Sequence, residues 1–172
     1  MQKLDRDFFL QNSDDVAIKL LGKMMVINHA QNQQFKAIIT ETESYRGTDP
    51  ASHASSKMTS RNQPMFMSCG TIYVYLIYGM HYCLNFVCEA EGFPSAVLIR
   101  AVQVIEPNFL ELDGPGKVCK NLKIDKSFNK TNIFIEKKIE VFDVANKVKY
   151  LKLPRVGISK NKEALLRFKI IK

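Results

Sequence analysis

The stretch IYVYLIYGMHYCLNFVCEAEGFPSAVLIRAV, residues 72–102, gives the clearest indication of secondary structure in this chain. It contains three apolar runs, at 72–78, 81–88 and 95–102, that are rich in β-branched and aromatic residues. Gly79-Met80 separates the first two runs, and a turn-forming segment separates the second from the third. Short apolar runs between turn signals are typical of paired strands. We therefore expect these three strands to form the antiparallel centre of a sheet.

The chain before this stretch predicts one short helix and one hairpin. Ser13-Asp14-Asp15 provides an N-cap and an acidic first turn, and Gly22 stands where a left-handed residue would end the helix. Two strands are predicted next, at 24–27 and 35–40, with a polar turn at 31–33 between them.

Polar residues and turn signals dominate the segment 42–64, which is expected to be a loop with short helices starting at Asp49-Pro50 and at Thr59 or Ser60. After the apolar stretch, Gly114-Pro115-Gly116 leads into a predicted helix at 117–124. Three later segments alternate apolar residues with lysine, as half-exposed strands do: 133–142, 148–153 and 166–171.

The size and composition of the chain favour a single domain over residues 1–172. With 172 residues, 46% of them hydrophobic, the chain can bury one sizeable core. Strands combined with a few short helices indicate the α+β class.

Charge favours a polyanionic partner, because clustered lysine and arginine release counterions from phosphates. The formal net charge is +8 and the sequence pI is about 9.3. Many lysine-rich proteins are basic without binding nucleic acid, so charge alone leaves both possibilities open.

Cysteine and histidine spacing predicts neither disulfides nor a metal site. No two of the four cysteines stand at the spacing of a zinc knuckle, and the histidines do not pair with carboxylates at metal-ligand spacing. We expect reduced thiols and no cofactor. The segment 1–7 lacks the apolar stretch of a secretion signal, and no later apolar run could span a bilayer, so a cytoplasmic protein without membrane contact is expected.

The segment Glu41-Thr42-Glu43-Ser44-Tyr45 places two carboxylates on one side of an extended chain, where a strand is predicted to give way to a loop. Catalytic groups are often presented at such strand ends. A carboxylate in a surface ion pair is the alternative explanation.

Two other residues stand in unusual places. Tyr78 lies at the predicted tip of a hairpin, where its ring has no core to enter, unless it folds back onto Tyr75 or Met80. Asn85 lies inside an apolar strand, and a buried amide needs hydrogen-bond partners, which structural contacts could also supply.

The order of these residues resembles the alkyladenine (3-methyladenine) DNA glycosylases. Between about residues 16 and 125 the matching elements are the acidic pair ending in Tyr45, then His53, Arg61-Asn62, Met65-Phe66, Tyr73-Val74-Tyr75, Tyr78-Gly79-Met80, Asn85, 97–101 and 114–117. Weaker matches follow at 154–158 and at Arg167-Phe168. The resemblance implies one domain with a curved, mainly antiparallel sheet, surrounding short helices and a protruding β-hairpin.

The resemblance also implies an activity: base-excision repair of duplex DNA, in which the enzyme flips out a damaged purine and hydrolyses its bond to the sugar. The lesions would be of the 3-methyladenine, 7-methylguanine, hypoxanthine and ethenoadenine class. No lysine matches a Schiff-base nucleophile, so a monofunctional enzyme that leaves an abasic site is expected. It would act as a monomer on double-stranded DNA, in the cytoplasm and associated with the nucleoid.

Residue roles follow from the same resemblance. Glu43 would deprotonate the water that attacks the sugar C1′, with Arg100 beside it. The pocket for the flipped base would be formed by Tyr45, His53, Tyr75, Asn85 and Leu98, with Asn85 rejecting the amino group of guanine. Tyr78 would wedge into the gap in the duplex. DNA would lie along Lys57, Thr59, Arg61, Met65 and Met80.

Two other classes of protein remain open from the residues alone. A non-catalytic nucleic-acid-binding module could use the same basic sheet and exposed tyrosines. A nucleoside hydrolase would need the carboxylate but would have no use for an aromatic wedge.

Overall fold

The computed structural model describes residues 1–144 and 147–171. Within them the chain forms one open antiparallel sheet, ordered β1-β8-β2-β3-β6-β5-β4, with β7 on β6 and with β10 joining β9 to β3. The strands are β1 (Gln2–Lys3), β2 (Met24–Asn28), β3 (Gln34–Arg46), β4 (Ile72–Ile77), β5 (His81–Val87), β6 (Ser95–Glu106), β7 (Leu110–Asp113), β8 (Ile139–Asp143), β9 (Tyr150–Leu153) and β10 (Arg167–Ile170).

The helices are short and pack mainly on one face of this sheet. They are α1 (Arg6–Phe9), α2 (Ser13–Leu20) and α3 (Pro115–Asn121), with 3₁₀ turns at Ala30–Asn32, Gln63–Phe66 and Lys126–Phe128. Phe9, Leu20 and Val118 carry this helix face into the main hydrophobic core. The α+β single-domain prediction is confirmed.

The alternation of side chains along the strands separates the helix face from a second face, here called the pocket face. Phe86 and Val97 point into the main core, whereas their neighbours Val87 and Ala96 join Tyr73 in a smaller cluster on the pocket face. The segment between β3 and β4 covers this second cluster. The pocket face therefore combines sheet residues with loop residues, which makes it suited to a binding site.

Strand β3 is the longest in the sheet and pairs along both edges. β6 follows it from Lys36 to Arg46, while the opposite edge is shared between β2 and, at 41–43, β10. This double pairing explains why the prediction of a loop from residue 42 was wrong: polar residues here stay extended because strands lie on both sides of them. The acidic pair thus lies within a strand and not at its end.

Other predictions were confirmed with shifted boundaries. The predicted short helix is α2, but Asn12 and not Ser13 is its N-cap, accepting a hydrogen bond from the Asp15 N–H at 3.0 Å. Gly22 has the expected positive φ, 79°. The predicted hairpin forms from β2 and β3. The helix predicted at 117–124 begins earlier, at Pro115, and ends at Asn121.

Some predictions were wrong. Of the three strands of the stretch 72–102, only β6 lies next to the central strand β3, whereas β5 and β4 continue outwards and β4 forms the edge of the sheet. No helix starts at Asp49-Pro50 or at Thr59 or Ser60 in the described chain; only the 3₁₀ turn Gln63–Phe66 forms there. Of the strand predicted at 133–142, only the second half is extended. The cysteines, by contrast, agree with the expectation of reduced thiols, since all four are free and buried.

Candidate active site

A cavity of about 520 Å³ opens on the pocket face. Ten of the residues predicted to act on the base or the DNA line it: Glu43, Tyr45, His53, Arg61, Met65, Tyr75, Tyr78, Asn85, Leu98 and Arg100. The predicted DNA contacts Lys57, Thr59 and Met80 lie outside the lining. The cavity is large enough for one flat heterocycle with its sugar.

Glu43 is fully buried in the wall of this cavity. Its Oε1 accepts the Val156 backbone N–H at 3.0 Å and lies 3.3 Å from Arg100 Nη1. Its Oε2 accepts the hydroxyl of Tyr45 at 2.7 Å. Three donors from three different parts of the chain therefore fix the position and the orientation of one carboxylate.

Glu41 has a different environment, although it lies two residues away on the same strand. Its Oε1 accepts from Arg100 Nε and from Arg167 Nη1, both at 3.1 Å, and its Oε2 lies 3.1 Å from Lys169 Nζ. Three cations surround this carboxylate, and it does not line the cavity. Glu41 thus holds Arg100 through its Nε, while Nη1 of the same guanidinium contacts Glu43.

Three rings form an aromatic cluster in the cavity. The His53 ring packs edge-on against Tyr75, with centroids 4.6 Å apart, and its Nδ1 lies 3.2 Å from the Tyr73 hydroxyl. The ring centroids of Tyr73 and Tyr75 are 5.1 Å apart. Burial raises the pKa of Tyr75 and that of Tyr73, the latter to about 12, so both phenols are neutral at physiological pH. The packing of His53 and the nearby charge of Arg61 lower the pKa of its imidazole.

Tyr45 lines the cavity and contacts a cation, the guanidinium of Arg155. Burial, followed by the charge of Glu43, raises the pKa of its hydroxyl, which therefore stays protonated and donates to Glu43. The guanidinium carbon of Arg155 lies 4.7 Å from the Tyr45 ring centroid. A second guanidinium, that of Arg61, lies 5.4 Å from the ring centroid of Tyr75.

Asn85 is buried between β4 and β6 and lines the cavity. Its Nδ2 donates to the Tyr73 carbonyl at 3.1 Å and to the Cys83 carbonyl at 3.4 Å. The sheet therefore satisfies the amide nitrogen and fixes the orientation of the side chain. Leu98, its partner in register on β6, supplies an apolar surface next to it.

The β4–β5 hairpin carries an aromatic side chain at its tip, as predicted. Tyr78 is 85% exposed and Met80 69% exposed. The Met80 N–H donates to the Ile77 carbonyl at 3.1 Å, and both residues between them, Tyr78 and Gly79, have positive φ values of 50° and 67°. Glycine adopts such a backbone readily but tyrosine does so at a cost, so the turn keeps an unfavourable residue at its most exposed position.

The loop that carries Lys57, Thr59 and Arg61 is organised by Asn62. The Nδ2 of this buried amide donates to the His53 carbonyl at 2.8 Å and to the Lys57 carbonyl at 2.9 Å, and its Oδ1 accepts the Thr59 N–H. Arg61 donates to the Leu76 carbonyl at 3.0 Å, which ties the loop to the hairpin. Sequence reasoning recognised Arg61-Asn62 as a motif but gave Asn62 no role.

Several cavity residues were not predicted from the sequence as site residues. The segment Val156-Gly157-Ile158 lines the cavity with Ala51 and Pro115. The matching segment 154–158 was the available signal for the first three. Val156 contributes through its backbone N–H, and a backbone contact leaves no mark in the identity of a side chain.

An open antiparallel sheet with a buried carboxylate, held by three donors in the wall of an aromatic cavity, defines a class of protein: an α+β protein with an acidic group beside a stacking site for a flat ring. Among the described residues, no group of three or more histidine, cysteine or acidic side chains could hold a metal ion. The helices of the described chain are all too short or too polar to cross a membrane.

Comparison with known proteins identifies the family. The family model for methylpurine-DNA glycosylase matches residues 7–172. A protein of Rickettsia felis (strain ATCC VR-1525 / URRWXCal2) is 48% identical over 166 residues, covering 96% of this chain and 91% of the relative. A protein of Rickettsia rickettsii (strain Sheila Smith) is 48% identical over 166 residues, which cover 96% of this chain and 88% of the relative. A protein of Wolbachia pipientis wMel is 47% identical over 167 residues, which cover 96% of this chain and 90% of the relative.

All three relatives carry 3-methyladenine DNA glycosylase in their names. The chain belongs to the methylpurine-DNA glycosylase family and is a DNA repair glycosylase. The resemblance seen in the sequence is thereby confirmed. Family membership decides against the other two classes that the residues left open, the binding module and the nucleoside hydrolase.

Proposed function

We propose that this protein flips a damaged purine out of duplex DNA and hydrolyses its N-glycosidic bond, with Glu43 as the general base. The observation that carries the proposal is the Glu43 carboxylate, held by three donors in the wall of an aromatic cavity. A carboxylate fixed in this way can bind a water molecule without reorganising during the reaction.

The chemistry requires such a group. As the bond between C1′ and the purine nitrogen breaks, the electron pair leaves with the base and positive charge develops on the sugar. Glu43 stabilises that charge and accepts a proton from the water that adds to C1′. Arg100, 3.3 Å from Glu43 and tied to Glu41, orients the carboxylate. The products are a free purine and an abasic site in an unbroken strand.

Base recognition would rest on stacking and on shape. Tyr45, His53 and Tyr75 would surround the flipped purine, and stacking tolerates many modified bases because every base offers an aromatic face. Asn85, fixed by the sheet carbonyls, would reject the exocyclic amino group of guanine. These features support a lesion range that includes 3-methyladenine, 7-methylguanine, hypoxanthine and ethenoadenine, the first of which appears in the names of the relatives.

DNA binding would use the surface around the cavity mouth. Tyr78, the most exposed aromatic residue on the hairpin, would fill the gap left by the flipped nucleotide, with Met80 beside it in the groove. Lys57, Thr59, Arg61 and Met65 would position the backbone. We propose a monomer that acts on double-stranded DNA in the cytoplasm, in association with the nucleoid, and cleaves no strand itself.

The test is base release from a duplex that contains one hypoxanthine or one 3-methyladenine, followed by alkali to reveal abasic sites. Glu43→Gln should lower the single-turnover rate by at least about 100-fold, since it removes the proton acceptor. The matched control is Glu91→Gln, which changes an exposed carboxylate outside the cavity and should leave the rate unchanged. Equal rates for wild type and Glu43→Gln would refute the assigned base, and strand cleavage without alkali would refute the monofunctional mechanism.

A further inference from the structure

A buried ion pair beside the cavity has no role in the reaction proposed above. The side chain of Arg155 has no exposed surface, and that of Asp49 is 7% exposed. Arg155 Nη1 donates to Asp49 Oδ2 and, at 2.9 Å, to the carbonyl of Ser44 in β3. The pair therefore joins the loop after β3 to the chain after β9, two segments that form different walls of the cavity.

The other oxygen of Asp49 strengthens this connection. Asp49 Oδ1 accepts the Ala51 N–H at 3.0 Å and the Asn161 Nδ2 at 3.0 Å. Ala51 lines the cavity, and Asn161 lies on the same segment as Arg155. One carboxylate thus fixes its own loop and holds the opposite segment at two points.

Arg155 is also linked to two of the three groups that donate to Glu43: it packs on the ring of Tyr45, and it is joined to Val156 by a peptide bond. Its guanidinium lies over the ring of Tyr45, whose hydroxyl donates to Glu43 Oε2 at 2.7 Å. The next residue in the chain is Val156, whose N–H donates to Glu43 Oε1 at 3.0 Å. Because the peptide unit is planar and rigid, moving Arg155 moves the Val156 N–H.

Stability alone is a poor reason for this pair. Desolvation of two buried charges offsets much of their attraction, and well-packed apolar residues often stabilise as well or better. Arg155 Nε and Nη2 are buried without a hydrogen-bond partner in the described part of the chain, which adds to the cost. A group that is kept at such a cost next to an active site points to a requirement for position.

We infer that Arg155, held by Asp49, is a positioning residue that sets the Tyr45 hydroxyl and the Val156 N–H on the Glu43 carboxylate. The inference rests on the proposed role of Glu43. Replacing Arg155 or Asp49 should therefore slow the chemical step, with little effect on DNA binding. A positional error of one or two donors is enough to slow such a step strongly.

The experiment measures single-turnover release of hypoxanthine from duplex DNA by Arg155→Met, Asp49→Asn and the double variant. We expect each single variant to be slower by about tenfold or more, and the double variant to be no slower than the slower single variant, since the two residues act as one unit. Affinity for a duplex with a tetrahydrofuran abasic-site analogue should stay within about threefold of wild type. Arg155→Lys should recover only part of the rate, because an ammonium lacks the planar fork.

The matched control is Lys23→Met, which removes another partly buried ion pair, Lys23 with Asp143 at 2.7 Å, outside the cavity lining. It should lower the melting temperature without slowing the chemical step. Additive effects of the two single variants, or folded Asp49→Asn with a rate within twofold of wild type, would overturn the inference even if Arg155→Met fails to fold. An active Glu43→Gln would instead overturn the proposed function, so the two failures are distinguishable.

Discussion

At the scale of single residues, two tyrosine hydroxyls near the cavity differ in what they bind. The Tyr45 hydroxyl donates to the Glu43 carboxylate at 2.7 Å, whereas the Tyr73 hydroxyl meets the His53 imidazole at 3.2 Å. A hydrogen bond to a charged group contributes about 1.5 to 3 kcal/mol, roughly twice that of a neutral pair. Each hydroxyl can be removed alone by a change to phenylalanine, which keeps the ring.

We predict that Tyr45→Phe slows single-turnover base release by roughly 10- to 100-fold, and that Tyr73→Phe slows it by less than about tenfold. The physical reason is that, of these two hydroxyls, only that of Tyr45 bonds to the carboxylate of Glu43, the proposed general base. Both variants keep their stacking surface, so their affinities for the abasic-site analogue should match that of wild type. A larger loss in Tyr73→Phe than in Tyr45→Phe would contradict the assignment of Tyr45.

The imidazole of His53 makes the free energy of unfolding depend on pH. Burial and Arg61 hold its pKa below the ordinary value in the folded protein. The folded protein thus binds fewer protons than the unfolded chain in the window below about pH 6.5. The stabilisation from neutral His53 is complete above that pH and is lost as the pH falls towards the folded pKa.

We therefore predict that wild type loses more unfolding free energy than His53→Gln between about pH 7.5 and about pH 5.5. Urea titrations at several pH values measure the difference. His29 and His81 are present in both proteins, so their contributions cancel. A steeper pH dependence in the variant would mean that the folded protein prefers the protonated ring.

Among the secondary-structure elements, the β4–β5 hairpin is destabilised by the exposed tyrosine at its tip. Tyr78 holds a left-handed backbone with φ of 50°, which asparagine tolerates far better. We predict that Tyr78→Asn raises the free energy of unfolding by up to about 1 kcal/mol and impairs base release from duplex DNA. Denaturant titration and excision assays check the two effects. Phe109→Asn, at another exposed aromatic residue outside the cavity, should produce neither.

If Tyr78 fills a gap in the duplex, its loss should not affect a lesion presented as a free nucleoside. Equal impairment on both substrates would show that the hairpin supports the pocket itself. Arg61 offers such a route, since it bonds the Leu76 carbonyl and lies over the Tyr75 ring. Comparing the two substrates in the same variant separates these roles.

Elements with strong local patterns were predictable, and those defined by distant pairing were not. β4, β5 and β6 were visible because apolar runs alternate with turns. The extension of β3 to Arg46 was not, because its polar residues are extended only through pairing with β6 and with β10, the latter more than 120 residues further along the chain. The short helix predicted at Asp49-Pro50 does not form, for a related reason: the Asp49 carboxylate pairs with Arg155, a distant residue that no local pattern reveals.

At the scale of the whole molecule, the same contrast holds for the site. Side chains with a distinctive chemistry, such as Glu43, Arg100 and Tyr75, could be found from their types and order, and all three line the cavity. The backbone donor at Val156 and the hub at Asn62 could not be assigned. Their roles depend on which groups the folded chain brings to them, and any residue except proline could supply a backbone N–H.

The net charge of +8 predicts how the whole protein responds to salt. The logarithm of the DNA affinity should fall linearly with the logarithm of salt concentration, by about 0.9 for each phosphate contacted. We predict that Lys57→Ala lowers this slope by about 0.9 and weakens binding to lesion-bearing and intact duplexes alike, since a phosphate contact carries no sequence information. Lys137→Ala removes the same charge beside β8, at the opposite end of the sheet from β4, and should leave the slope unchanged. Equal slope changes in the two variants would mean that total charge, and not the surface around the cavity, determines DNA binding.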